Sequence, residues 1–269
     1  MAIINSKGSR KGCSLMNWNI DKKIFVTLCM FILLTACGSR PAGSNVSPGG
    51  SVPVEGACAN EYYPVAQGAA WTYESVGSPA GKYTFTDTVS AVQNDGFTLT
   101  SKYGDLTRTQ AWGCQDQGLV ALQLGGPATA TLGSQDMDFT FDVKNVEGVT
   151  YPTSMLPGEE WMHALEFESK MNIANEPAAA IGNAQTQFMA FGQESITVPA
   201  GTFQALRVQV DTNITFTIQV QGISVPVSFS GSYTYWFARG VGWVKAQGEG
   251  NITGTSFTET IELQDYRIP

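Results

Sequence analysis

The sequence predicts an all-β, mainly antiparallel fold built on one large curved sheet, and three observations predict it. The first is a long hairpin. From Leu206 to Val220 the even positions are apolar (Leu206, Val208, Val210, Ile214, Phe216, Ile218, Val220). Arg207, Gln209, Asp211, Asn213 and Thr215 lie between them. After Gln221-Gly222 the phase moves to the odd positions Ile223, Val225, Val227, Phe229, Tyr233, Tyr235 and Phe237. Period-two alternation marks strands with one buried and one wet face, and a Gly-containing turn between two such runs marks a hairpin. Arms of about 15 residues would reach roughly 50 Å if straight, so they should twist and curve. The second observation is the pair of turns Asn94-Asp95-Gly96 and Tyr103-Gly104-Asp105, set at hairpin spacing. The third is that no convincing amphipathic helix pattern follows residue 36; Met155 to Phe167 is the best place for a short one.

The chain opens with an address. Lys22 and Lys23 precede the apolar run Ile24 to Leu34, which is too short to span a bilayer comfortably and has the form of a signal-peptide core. Met16 would give a more ordinary signal than Met1. The run ends in Leu34-Thr35-Ala36-Cys37, which resembles the lipobox of bacterial lipoprotein precursors. The resemblance implies cleavage before Cys37, diacylglycerol on its sulfur, and an acyl chain such as palmitate on its new amine. Several acyl chains on one residue anchor a protein stably to a membrane. Residues 1–36 are then a lipoprotein signal peptide. Residues 37–57, rich in Gly, Ser and Pro, are a flexible tether. Residues 58–269 are expected to form a single β-rich domain outside the cytoplasm, in the bacterial cell envelope.

Charge and cysteines narrow the partners. Residues 1–36 carry Lys7, Arg10, Lys11, Lys22 and Lys23 against Asp21, which leaves 10 basic and 22 acidic residues in the rest, a net of −12. An acidic body argues against nucleic acid or an anionic membrane surface as a direct partner, and the membrane is reached through the anchor alone. Cys13 and Cys29 leave with the signal and Cys37 is lipidated, so Cys58 and Cys114 are the only pair left in an oxidising compartment. A disulfide is expected there; two free thiols are the other arrangement the sequence allows. Two thiols and one distant histidine are too few ligands for a metal site, and no cofactor is expected. The series Asp136, Asp138, Asp142 lacks the Gly and terminal Glu of an EF-hand loop and reads as the wet face of a strand.

Along the body, strands are expected over Lys82 to Val92, Phe97 to Tyr103, Leu106 to Trp112, Leu119 to Leu124, Trp161 to Ile173 and Phe257 to Tyr266. Loops are expected over Gly125 to Gln135 and Asn175 to Gln185. Gly68-Ala69-Ala70-Trp71 and Gly158-Glu159-Glu160-Trp161 echo one another as turns that open strands. Three motifs carry a family resemblance. They are the Pro64 to Tyr73 opening with Gly68 and Trp71, the turn Val198-Pro199-Ala200-Gly201-Thr202-Phe203-Gln204-Ala205, and the close at Tyr235-Trp236-Phe237-Ala238-Arg239-Gly240-Val241-Gly242. These resemble uncharacterised lipoproteins and secreted β-proteins, a domain of unknown function similar in outline to half-barrel envelope lipoproteins. The resemblance implies a half-barrel or incomplete barrel and brings no catalytic residues with it.

His163 is the only histidine, so every Ser-His-Asp or Cys-His scheme would have to use it, and no Gly-x-Ser-x-Gly elbow is present. The bland reading of His163 is a partly buried structural residue. Two functions remain. One is a non-enzymatic envelope lipoprotein whose concave face holds an apolar ligand or a partner protein. The apolar-face residues for that role are Trp71, Trp161, Phe216, Phe229, Trp236 and Trp243, which either line a cavity or fill a core. The other is a surface hydrolase acting on glycans or peptides, which requires a polar cleft with paired carboxylates and a shifted pKa.

Overall fold

The computed structural model describes Gly56 and residues 58–125, 139–173 and 176–269. Residues 1–36, expected as a signal peptide, Cys37, all of the expected tether except Gly56, residues 126–135 of the expected loop, and Asp136 and Asp138 lie outside the described residues. Among the described residues every element is a strand, and thirteen of them form one antiparallel sheet curved into a half-barrel.

At its centre, β10 (Gly201–Val220) pairs with β11 (Ile223–Ala238) without a break from Ala205↔Ala238 to Val220↔Ile223. Gln221 and Gly222 both have positive φ, 50° and 78°, the turn geometry whose twist matches a right-twisted hairpin. Leu206, Val208, Val210, Ile214, Phe229 and Phe237 are buried, while Thr215 and Ser228 are exposed, so the phase of the hairpin is the expected one. Cover thins toward the tip. Phe216, Ile218 and Val220 are half-buried, and Ile223 and Val225 are 63% and 44% exposed.

On one side of the hairpin lie β9 (Glu176–Val198), β8 (Glu160–Ile173) and β6 (Phe139–Gly148). On the other lie β12 (Gly242–Ile252), β13 (Thr255–Arg267), β1 (Ala70–Val76), β2 (Tyr83–Val92), β3 (Gly96–Tyr103), β4 (Leu106–Gln115), β5 (Gly118–Ala121) and β7 (Tyr151–Pro152). Two expectations are corrected. Asn175 to Gln185 is not a loop, because from Glu176 it is the first half of β9. Met155 to Phe167 holds no helix, since a turn there runs into β8. Bulges after Thr72, Val89, Val143, Leu206 and Trp236 bend the sheet.

The two ends of the strand order are laced together at one point. The short link from β6 to β7 crosses from one end of the sheet to the other. Val149 N donates to Met162 O of β8 at 3.0 Å and Thr150 N to Leu119 O of β5 at 3.0 Å. Ala121 N donates to Thr150 Oγ1 at 2.8 Å, and Trp161 Nε1 donates to Thr150 O at 3.1 Å.

The two echoed Gly-x-x-Trp turns are the same structure. Gly68 N donates to Val89 O, and Val89 N returns a bond to Ala69 O. Gly158 N donates to Ala190 O, and Ala190 N returns a bond to Glu159 O. Below the first of them the chain before β1 stops one end of the half-barrel. Cys58 is disulfide-bonded to Cys114 of β4, with Cα atoms 4.9 Å apart. Asn60 donates to Pro152 O at 2.7 Å and accepts from Tyr62 N and Tyr63 N, both at 3.0 Å. Tyr63, 4% exposed, then packs against both Trp112 and Tyr151 at centroid distances of 5.8 and 5.1 Å, and those two rings touch each other at 5.4 Å.

Candidate functional site: a cavity inside the half-barrel

Above this stopper the concave face forms a partly open cavity of about 210 Å³. Its walls are aromatic for much of their extent, with Trp112, Tyr151, Phe188, Phe229, Phe237 and Trp243 among the lining side chains. The strand alternation puts them there: the inward positions of β4, β7, β9, β11 and β12 carry them, and the outward positions are mostly polar.

Three titratable residues occupy inward positions that an apolar pattern would assign to hydrophobes. In β2 the inward series is Tyr83, Phe85, Asp87, Val89. In β13 it is Phe257, Glu259, Ile261, Leu263. In β8 it is Trp161, His163, Leu165, Phe167. All three line the cavity.

Asp87 is 9% exposed, and its Oδ1 accepts from Ser101 Oγ at 2.5 Å. Burial pushes its carboxyl up from 3.8 to about 6, with the Ser101 hydrogen bond opposing the shift. Glu259, 3% exposed, accepts three hydroxyls: Ser75 Oγ at 2.5 Å and Tyr83 OH at 3.2 Å on Oε1, and Tyr233 OH at 3.2 Å on Oε2. Burial, then the charge of Glu259, raises the phenols of Tyr83 and Tyr233, so both stay protonated donors. His163 Nε2 lies 2.9 Å from Ala121 O. A carbonyl only accepts, so Nε2 carries the proton and the ring donates. Burial lowers the pKa of His163 and keeps it neutral, outweighing the backbone hydrogen bond.

Of the six apolar-face residues expected from sequence, Phe229 and Trp243 line the cavity. The other four do not. Trp71 is 2% exposed within the core, with Nε1 donating to Val241 O at 2.5 Å. Trp161 stacks beside its register partner Phe188, centroids 5.2 Å apart. Phe216 packs against Phe167 toward the hairpin tip, 6.3 Å between rings. Trp236 points to the convex face, where its Nε1 bonds Glu194 at 2.6 Å. The residues the sequence reading missed are Asp87, Ser101, Ser75 and Glu259. The signal that would have found the two carboxylates is a charge sitting in the apolar phase of a strand.

The sequence profile of the DUF3108-like family matches residues 111–255, from within β4 to the first residue of β13. The chain belongs to the DUF3108-like family. No curated protein matches this DUF3108-like sequence. Among solved structures it is similar to a candidate exported protein with a YmcC-like fold from Bacteroides fragilis, at 14% identity and TM-score 0.44, over 78% of this chain and 100% of that one. It is similar to a candidate lipoprotein from Parabacteroides distasonis, at 14% identity and TM-score 0.44, over 77% of this chain and 99% of that one. A third similarity is to the hypothetical lipoprotein YmcC from Escherichia coli, at 8% identity and TM-score 0.29, over 75% of this chain and 85% of that one.

Proposed function

We propose that this DUF3108-like chain is an envelope lipoprotein, held to a membrane by acyl groups on Cys37 with its body outside the cytoplasm. We further propose that its half-barrel is a non-enzymatic binding module for a small, largely apolar ligand. The lipobox-like Leu34-Thr35-Ala36-Cys37 supports the location. The observation that carries the binding role is the cavity of about 210 Å³ on the concave face, with its aromatic walls. Ligand sites are mostly apolar concavities with a few placed polar groups, and this cavity has that composition.

The hydrolase reading asks for two carboxylates across one scissile bond, about 5–10 Å apart. Asp87 pairs in register with Trp71 of β1, and Thr260, next to Glu259, pairs with Val76 of the same strand. The two acids are thus offset by about six residues along β1, roughly 20 Å at about 3.3 Å per residue. His163 is neutral and committed to Ala121 O. This spacing favours binding over hydrolysis. Native mass spectrometry of protein extracted gently from its envelope tests the role. A stoichiometric small molecule that leaves on activation is the expected result; a bare mass, with no uptake of apolar probes, would defeat it.

A further inference from the structure

We propose that the cavity takes a small organic cation: a protonated amine carried on an aromatic or short aliphatic body. This rests on the ligand-holding reading above and specifies the chemistry of the ligand.

Charge comes first. Among the described residues, Asp87 and Glu259 are the only acidic side chains in the lining, and no Lys or Arg joins them. The donors to both acids are neutral hydroxyls: Ser101 on Asp87, and Ser75, Tyr83 and Tyr233 on Glu259. Neither acid forms a salt bridge among the described residues. A buried carboxylate without a counter-charge is costly, and a cation entering its cavity recovers part of that cost. Asp87 is the sharper of the two. It is more than nine-tenths buried and lines the cavity, and only its Oδ1 has a donor among the described residues. Its Oδ2 is left for an incoming N–H.

The walls agree with the charge. Tyr63, Trp112, Tyr151, Tyr235 and Trp243 line the cavity, and aromatic faces attract ammonium groups. The same arrangement repels anions. A fatty-acid carboxylate or a phosphate beside Asp87 would face an acid, with no cation among the described lining residues to meet it, since His163 stays neutral and its Nε2 proton is committed to Ala121 O. Size sets the body. At about 210 Å³ the space somewhat exceeds the roughly 150 Å³ that admits benzene and falls short of drug-sized pockets, so one ring with a short chain fits.

Asp87 also makes the site sensitive to pH. The groups facing it are Ser101 and Tyr103 of β3, Tyr73 of β1, Tyr63 of the stopper and Tyr151 of β7. Burial keeps all four phenols protonated. Asp87 itself titrates at about 6. Amine binding therefore weakens as pH falls through that region.

The test uses the full chain carrying Cys37→Ser, so that no acyl group competes, and three probes of one shape: 3-phenylpropylammonium, 3-phenylpropanol and 3-phenylpropionate. Calorimetric titration near neutral pH is expected to rank amine, then alcohol, then acid. The amine should exceed the alcohol by about tenfold or more, as a charge-assisted hydrogen bond to a buried acid does. Asp87→Asn should bring the amine down to the alcohol and leave the alcohol unchanged. Acid binding as tightly as amine, or an amine preference that survives Asp87→Asn, would overturn the proposal while leaving the cavity reading intact. Failure of all three probes to bind would overturn both.

Discussion

Ser101 Oγ donates to Asp87 Oδ1 at 2.5 Å, the one hydrogen bond that the buried carboxylate receives among the described residues. A single neutral donor does not repay the desolvation of a charge, and the group keeps its proton up to about pH 6.

The consequence for stability has a definite sign. The folded pKa of Asp87, about 6, lies above the unfolded value of 3.8, so between the two the native state holds the extra proton. This contribution to stability is complete below pH 3.8 and is lost as pH rises through about 6. Asp87→Asn keeps an acceptor for Ser101 and removes the charge. At neutral pH it should stabilise the apo protein by about 2–3 kcal/mol, taking about 1.4 kcal/mol per pKa unit. The gain should vanish near pH 4. Urea unfolding of both proteins across that range checks it; an equal difference at every pH would mean that Asp87 is solvated.

His163 behaves in the opposite sense. Its folded pKa is below the unfolded 6.5, so its contribution is present above pH 6.5 and is lost as pH falls through the lower folded value. Measured in the Asp87→Asn background, acid should destabilise the protein through this group, and His163→Phe should flatten that slope. The Phe variant also leaves Ala121 O without its donor. It should cost about 1–3 kcal/mol at neutral pH.

The central hairpin has two unequal faces. Phe229, 5% exposed, stands opposite Ile214, while the next pair, Thr215 and Ser228, is exposed. Phe229→Ala should cost about 3–5 kcal/mol. Phe216→Ala, at a half-buried site, should cost less, and Ser228→Ala should stay within about 0.5 kcal/mol. Chemical denaturation measures all three. Equal costs at Phe229 and Ser228 would mean a sheet covered on both faces.

Cys37→Ser should move the protein from the membrane fraction to the soluble fraction, because the proposed anchor is the acyl groups on that sulfur and amine. Fractionation followed by immunoblotting decides it. Retention in the membrane with the signal cleaved would contradict the anchor.

The hairpin was legible because both of its arms alternate over many residues and a two-residue turn fixes their register. β9 was not. Its opening run, Glu-Pro-Ala-Ala-Ala-Ile-Gly, has low strand propensity, and tertiary packing overrides it. A Cβ on Gly182 would meet Phe216 Cβ at 2.4 Å and Phe167 Cζ at 2.8 Å, so smallness there is what lets the two rings close over the strand. Size alone points to the large apolar side chains Trp71, Trp161, Phe216, Phe229, Trp236 and Trp243, and only Phe229 and Trp243 line the cavity. Trp71 is used up in the core. Trp236 lies opposite the bulge at Val244 of β12 and bonds Glu194 on the outer face. The informative residues were Asp87, His163 and Glu259, three polar breaks in otherwise apolar phases, whose convergence only the curvature of the sheet reveals.

A methyl NMR titration of the Cys37→Ser chain with 3-phenylpropanol decides whether a ligand sits inside the half-barrel. Ala121, Leu165, Ala184 and Ile214 line the cavity, whereas Ile223 and Val225 lie exposed at the hairpin tip. Saturable shifts are expected at the methyl groups of the four lining residues and none at Ile223 and Val225. Shifts confined to Ile223 and Val225, or no saturable shift anywhere, would contradict a ligand held inside the half-barrel.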